Sequence, residues 1–197
     1  MISALLLRRL THLRKGNSVM KKIFCAVLTV TLLLAGNAFA DEGFSVGASV
    51  GYANIENNDT DFDFDANDTG YKIFANYSFA NYLGFEGGFV DFGEPTDDIL
   101  GFPGKIDAQG WTLYGVGRLP LSDSVELFGK AGVISWDADS VVDGVLVGAD
   151  DGDDLALGFG ASWNTNGTLG LRAEYEWFDI PDADNVWMAS IGFVLRF

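Results

Sequence analysis

The sequence predicts an all-β fold: an eight-stranded antiparallel up-and-down transmembrane β-barrel preceded by a helical signal peptide. Three observations lead there. Apolar residues alternate with small or polar ones through eight segments after residue 40. The links between those segments alternate short and long. Nearly all strand charge falls on one face, and the other face is apolar and aromatic.

The targeting segment comes first. The chain has 197 residues, 12 Lys and Arg against 28 Asp and Glu, and a formal charge of −16, yet 48% of it is hydrophobic. Arg8, Arg9, Arg14, Lys15, Lys21 and Lys22 lie in residues 1–40, which contain no acid. The six remaining cations therefore face all 28 acids, a balance of −22. Met20-Lys21-Lys22 reads as a charged start, Ile23 to Ala35 as an apolar run, and Ala38-Phe39-Ala40 as a cleavage site before Asp41. Met20 begins a complete signal by itself. A membrane-spanning helix fits less well, because the run is short and broken by Gly36-Asn37. An organelle transit peptide is the other reading of residues 1–19. Residues 1–40 are thus expected to be a signal peptide and 41–197 one barrel domain. The only Cys (Cys25) and the only His (His12) leave with the signal. The acidity excludes a nucleic-acid partner, which needs a basic face.

The eight strands follow in order. Phe44, Val46, Ala48, Val50 and Tyr52 alternate with Ser45, Gly47, Ser49 and Gly51. Tyr71, Ile73, Ala75, Tyr77 and Phe79 alternate with Lys72, Phe74, Asn76 and Ser78. Leu83, Phe85, Gly87 and Phe89 oppose Gly84, Glu86 and Gly88. Trp111, Leu113 and Leu119 share a parity against Thr112, Tyr114, Val116 and Arg118, and Val125, Leu127 and Val133 against Glu126, Phe128 and Lys130. These two strands carry apolar residues on both faces, so their phase is less sharply defined. Leu155, Leu157, Phe159 and Trp163 oppose Ala156, Gly158, Gly160 and Ser162. Leu169, Leu171, Tyr175 and Trp177 oppose Arg172, Glu174 and Glu176. Trp187, Ile191, Phe193, Leu195 and Phe197 oppose Met188, Ser190, Gly192 and Arg196.

The links at Ala80-Asn81, Pro120 to Ser124 and Asn164 to Gly167 are short, and Asn166-Gly167 is a tight-hairpin signal. Long connections are expected over residues 56–68, 93–107, 137–150 and 179–185. Short turns at one end and long loops at the other are the pattern of outer-membrane barrels.

The placement of charge separates a membrane barrel from a soluble lipocalin-type barrel. Lys72, Arg118, Lys130, Arg172 and Arg196 all fall on the face rich in Gly and Ser. The opposite face is essentially uncharged, as lipid requires. Small residues let a narrow barrel close around long charged side chains. Lys72, Lys130 and Arg172 are expected to pair inside with Glu86, Glu174 and Glu176, forming a plug. Tyr52, Tyr71, Trp111, Trp163, Trp177 and Trp187 suit the two interfacial girdles.

The chain also resembles the OmpA-like outer membrane β-barrel family over residues 41–197. The resemblance is carried by Leu119-Pro120-Leu121-Ser122-Asp123 leading to Trp136-Asp137-Ala138-Asp139, and by Leu83 to Gly93. It implies an eight-stranded barrel with an inner polar cluster in the outer membrane of a Gram-negative cell, reached through the periplasm. Full-length family members carry a peptidoglycan-binding domain after the barrel. This sequence ends at Phe197, so a barrel-only member is expected. Ile191, Phe193, Leu195 and Phe197 are similar to the terminal signal read by the barrel-assembly machinery.

Residues 41–197 contain no His and no Cys. His-dependent hydrolases, Cys nucleophiles and His-type zinc sites are therefore excluded, no catalytic residue is singled out, and no cofactor is expected. Gly115-Val116-Gly117 and Gly158-Phe159-Gly160 lie in strands with no following helix, which rules out a nucleotide loop. Asp59, Asp61, Asp63 and Asp65 are weak Ca²⁺ candidates. Ala66 stands where an EF-hand needs Gly, and Lys72 where it needs an acid. Asp150, Asp151, Asp153 and Asp154 form a second acidic group. Both groups fit a solvated rim that draws divalent cations to lipopolysaccharide. The leading expectation is a structural barrel serving envelope integrity or surface interaction, with lipid, lipopolysaccharide and the assembly machinery as partners. The alternatives are a small porin-like channel, a soluble lipocalin-like carrier and a lipid-modifying enzyme.

Overall fold

A strand with period-2 side chains offers two surfaces, and a sheet with one apolar face and one charged face must hide one of them. Here the sheet closes on itself around the charged face. The computed structural model describes residues 43–59, 62–99, 102–142, 145–165, 167–181 and 183–197. The signal-peptide reading of residues 1–40 lies outside them. Nine strands are formed among the described residues: β1 (Phe44–Asp59), β2 (Phe62–Ala80), β3 (Leu83–Asp91), β4 (Thr96–Ile99), β5 (Phe102–Pro120), β6 (Val125–Val142), β7 (Val145–Asn164), β8 (Leu169–Phe178) and β9 (Asn185–Arg196).

Eight of these make the barrel. Their order is β3-β2-β1-β9-β8-β7-β6-β5, and β3 pairs with β5 to close the ring. Every pairing is antiparallel. β4 is a four-residue addition that pairs with the start of β5 through Thr96↔Lys105 and Ile99↔Phe102.

The strands are longer than the sequence suggested. Three of the four expected connections, over 56–68, 93–107 and 137–150, are largely strand. The β1–β2 register continues to Asp59↔Phe62. The β6–β7 register continues to Val142↔Val145, with one irregularity at Ser140/Val141. Crossing a bilayer takes about 9–11 tilted residues, whereas β7 has 20. The surplus prolongs the hairpins at one end of the barrel, and its inward side adds Ile55, Ala66 and Ala108 to the buried apolar cluster. High polarity resembled a loop, but the hydrogen-bond ladder continues wherever register is kept. Among the expected long loops, the link from Phe178 to Asn185 stays irregular.

The opposite end is tightly turned. The Ser122 hydroxyl accepts the Val125 N–H at 3.1 Å in the β5–β6 turn. Gly167 in the β7–β8 turn has φ +84°, a conformation that favours glycine.

The outward face is apolar. Leu113, Leu157, Phe159, Ile191 and Phe193 are all exposed. Tyr52, Trp187, Tyr175 and Phe159 form a ring-to-ring chain around the wall, with centroids 5.7, 5.5 and 5.7 Å apart. Of the six expected girdle residues, Trp163 pairs with Val125 beside the short turns, and Trp177 pairs with Trp187 toward the long hairpins.

Candidate functional site: a buried charge network in the barrel

The interior contains three layers along the barrel axis. The middle layer is ionic. Lys72 on β2, Glu86 on β3, Lys130 on β6, and Arg172, Glu174 and Glu176 on β8 all point inward. Each is almost wholly buried, from 0% side-chain exposure at Lys72 to 6% at Arg172.

Lys72 Nζ lies 2.9 Å from Glu176 Oε2 and 3.5 Å from Glu86 Oε1, and it also bonds Glu174 Oε1. Lys130 Nζ lies 2.6 Å from Glu176 Oε1, 2.9 Å from Glu86 Oε1 and 3.0 Å from Glu174 Oε2. Arg172 reaches Glu86 Oε2 with Nη1 at 2.7 Å and Glu174 Oε2 with Nη2 at 2.6 Å. The first of these is an ion pair without hydrogen-bond alignment, since Glu86 Oε2 accepts no hydrogen bond. Three cations thus balance three carboxylates.

That balance matters because desolvating each ion costs several kcal/mol, roughly, and only well-placed partners offset it. The three carboxylates have oxygens within 4.8 Å of one another, a spacing that could suit a metal ion. Lys72, Lys130 and Arg172 already supply their countercharge.

The sequence reading missed the aromatic lining of this layer. Lys130 Nζ lies 4.3 Å from the Tyr114 ring centroid, and the Arg172 guanidinium carbon lies 4.0 Å from that of Phe128 and 4.5 Å from that of Phe74. These contacts help to replace lost water. The available signal was parity, since Phe74, Tyr114 and Phe128 share a face with Lys72, Arg118 and Lys130. Small residues provide the room. A Cβ on Gly158 would lie 2.5 Å from Lys130 Cε and 3.2 Å from Glu176 Cγ.

The layer toward the long hairpins is apolar, which the sequence reading also missed. Val90, Phe92, Ile134, Ala156, Phe178, Val186 and Met188 are buried there. Phe92 and Phe178 meet edge to face at 5.0 Å. The layer toward the short turns is polar and includes Ser45, Asn76, Arg118, Glu126 and Arg196.

The remaining candidates stand apart from the network. Ile191, Phe193, Leu195 and Phe197 lie exposed on the outer apolar face. Asp61, together with the side chains of Asp59, Asp63 and Asp65, lies outside the described residues. Of the second acidic group, Asp154 accepts the Trp136 Nε1–H at 2.7 Å.

Toward the long hairpins, Asp68 joins β2 to the segment after β3. Its carboxylate accepts the Thr69 N–H at 2.7 Å and the Glu94 N–H at 2.8 Å. These donors hold the Asp68 carboxyl below its usual value, the Glu94 bond contributing most. Lys105 pairs with Glu94 at 2.7 Å, which raises the Lys105 amine above its usual value.

The model of the OmpA-like transmembrane domain matches residues 39–197. Outer membrane protein A of Klebsiella pneumoniae is 28% identical over 145 residues, covering 65% of this chain and 41% of that protein. The chain spans about half or less of the length of the curated relatives it matches. Among solved structures, neisserial surface protein A superposes with TM-score 0.63 at 17% identity, over 79% of this chain and 97% of that one. Ail, the attachment invasion locus protein of Yersinia pestis, superposes with TM-score 0.55 at 23% identity, over 80% of this chain and all of that one. At such identities the two structures speak for the fold.

Proposed function

The chain belongs to the OmpA-like transmembrane domain family, and from that premise we propose that it is a structural outer-membrane barrel with a plugged interior and no catalytic activity. It serves envelope integrity or surface interaction. The observation that carries this reading is the neutral, six-residue ion network, whose side chains are at most 6% exposed. A channel needs its charges apart and wet, whereas these are paired and dry. The apolar layer around Phe92 and Phe178 supports closure on the side of the long hairpins.

The wider setting belongs to the same proposal. Residues 1–40 direct export and are removed, and residues 41–197 insert among outer-membrane lipid and lipopolysaccharide. The outward residues Ile191, Phe193, Leu195 and Phe197 engage the barrel-assembly machinery. The acidic hairpin ends draw divalent cations to the lipopolysaccharide surface.

Planar-bilayer recording tests the plug. The purified barrel is expected to give no sustained openings. Steady openings whose size changes in Arg172→Ala would overturn the plugged reading in favour of a small channel.

A further inference from the structure

β7 outlasts its neighbour on one side. Its pairing with β8 ends at Ala156↔Phe178, after which the Asp179 N–H donates to the Leu155 carbonyl at 2.9 Å. On its other side β7 stays paired with β6 as far as Val142↔Val145. Residues 145–154 are therefore the edge of a sheet, with β6, β5 and β4 behind them. Backbone groups alternate in direction along a strand. Leu155 faces the β8 side, so Ala149, Asp151 and Asp153 turn their N–H and C=O groups the same way. These groups meet no backbone partner among the described residues, and all three residues are exposed. An open edge is a template for another strand, commonly blunted by Lys or Pro. Residues 145–154 contain neither, and their ladder with β6 is regular from Ala149 to Asp154.

Charge selects the strand that fits. Asp151 stands directly opposite Asp137, an unfavourable pair. On its far side Asp137 accepts the Gln109 Nε2–H at 2.8 Å. The far side of Asp151 is the open edge. A strand added there would set its own side chains beside Asp151 and Asp153, which share one face. Lys or Arg at alternate positions would offset both carboxylates. A second copy of the edge would bring further carboxylates against them and is repelled.

We propose that the β7 edge at Ala149, Asp151 and Asp153 is a docking site for an extended basic polypeptide, which adds as a further strand with Lys or Arg at alternate positions. The proposal deepens the surface-interaction reading and rests on it, because the edge must stand in water.

A labelled peptide of alternating Lys and Thr, mixed with the full barrel in detergent, tests this. Fluorescence anisotropy is expected to show saturable binding. Methylating the backbone nitrogens of the peptide's lysines keeps its charge and blocks its bonds to the edge, which is expected to weaken binding about tenfold or more. Ala149→Pro removes an edge N–H and no bond to β6, and a loss of about the same order is expected. On binding, the amides of Ala149, Asp151 and Asp153 are expected to gain exchange protection, and those of Asp150 and Gly152 to stay as they were. Heat-modifiable gel migration verifies that the variant is folded. Absence of binding would overturn the proposal. Equal binding of the methylated peptide would replace strand addition by plain charge attraction. A dimer of the barrel that Ala149→Pro abolishes would assign the edge to a second copy. Each of these outcomes leaves the plug to its own test in planar bilayers.

Discussion

The Tyr114 hydroxyl donates to Glu176 Oε1 at 2.9 Å, joining β5 to β8 across the barrel interior. Glu176 Oε1 also receives Lys130 at 2.6 Å, and Lys130 lies over the Tyr114 ring. Phenol, carboxylate and ammonium thus form one closed contact. Tyr114→Phe keeps the ring and removes only the donor. It is expected to cost about 1.5–3 kcal/mol, as for a hydrogen bond to a charged group. Urea unfolding of the barrel refolded in lipid vesicles measures this.

Neutrality predicts a stronger effect when one ion is removed. Lys130→Met leaves three carboxylates against two cations in a dry layer. Breaking a buried pair in this way costs about 3–5 kcal/mol. Adding Glu176→Gln restores the count, so the double variant is expected to lose less than the sum of the single losses. A double-mutant cycle on unfolding free energy reads the difference. Strict additivity would show that Lys130 and Glu176 do not act as a pair.

The narrowness of the barrel gives a test by position. Gly158 lies under Lys130, and an added Cβ would lie 2.5 Å from Lys130 Cε. Gly129 on the neighbouring strand faces outward, and its Cβ would meet nothing within 4 Å. Gly158→Ala is expected to displace the ammonium and cost about 1–3 kcal/mol. Gly129→Ala should stay within about 0.5 kcal/mol of the parent. The contrast separates interior room from the general effect of glycine in a strand.

Much of this was readable in the sequence. Parity alone assigned Lys72 and Glu86 to one face and Tyr71 and Phe85 to the other, and the fold keeps that division. Parity cannot say how far along the axis a residue lies. Val90 and Lys72 face each other across β2 and β3, yet one belongs to the apolar layer and the other to the ionic one. The strand ends were misplaced for a related reason. Asp137 and Asp139 are polar because water surrounds them, and polarity does not interrupt their pairing with Asp151 and Ala149.

The clasp outside the bilayer should respond to pH with a definite sign. The Asp68 carboxyl is lowered from its ordinary 3.8. Its bonds to Thr69 and Glu94 are therefore complete above that value and lost as pH falls through the lower folded one. The Lys105 amine is raised from 10.5, so its pairing with Glu94 is complete below that value and lost as pH rises past the folded one. The protection factor of the Glu94 amide, taken relative to its intrinsic exchange rate at each pH, is expected to fall at the acid edge in the parent. Asp68→Asn should show a lower protection factor that stays level through the same range.

The direction in which the apolar face looks can be tested without a structure. Ala173 lies at the centre of β8 (Leu169–Phe178) and is exposed on the outer wall. Ala80 closes β2 at the short-turn end and is also exposed. Both side chains are small, so replacing them removes little packing. In lipid, Ala173→Arg puts a charge near the midplane and is expected to cost about 2–4 kcal/mol, whereas Ala80→Arg at the interface costs about 0–1 kcal/mol. A soluble barrel with a wet outer wall would tolerate both equally, because each arginine would reach water. Unequal loss of unfolding free energy in vesicles supports the membrane orientation, and equal tolerance would revive the soluble carrier. The gradient depends only on depth along the strand, so the outcome does not rest on whether the ion network conducts.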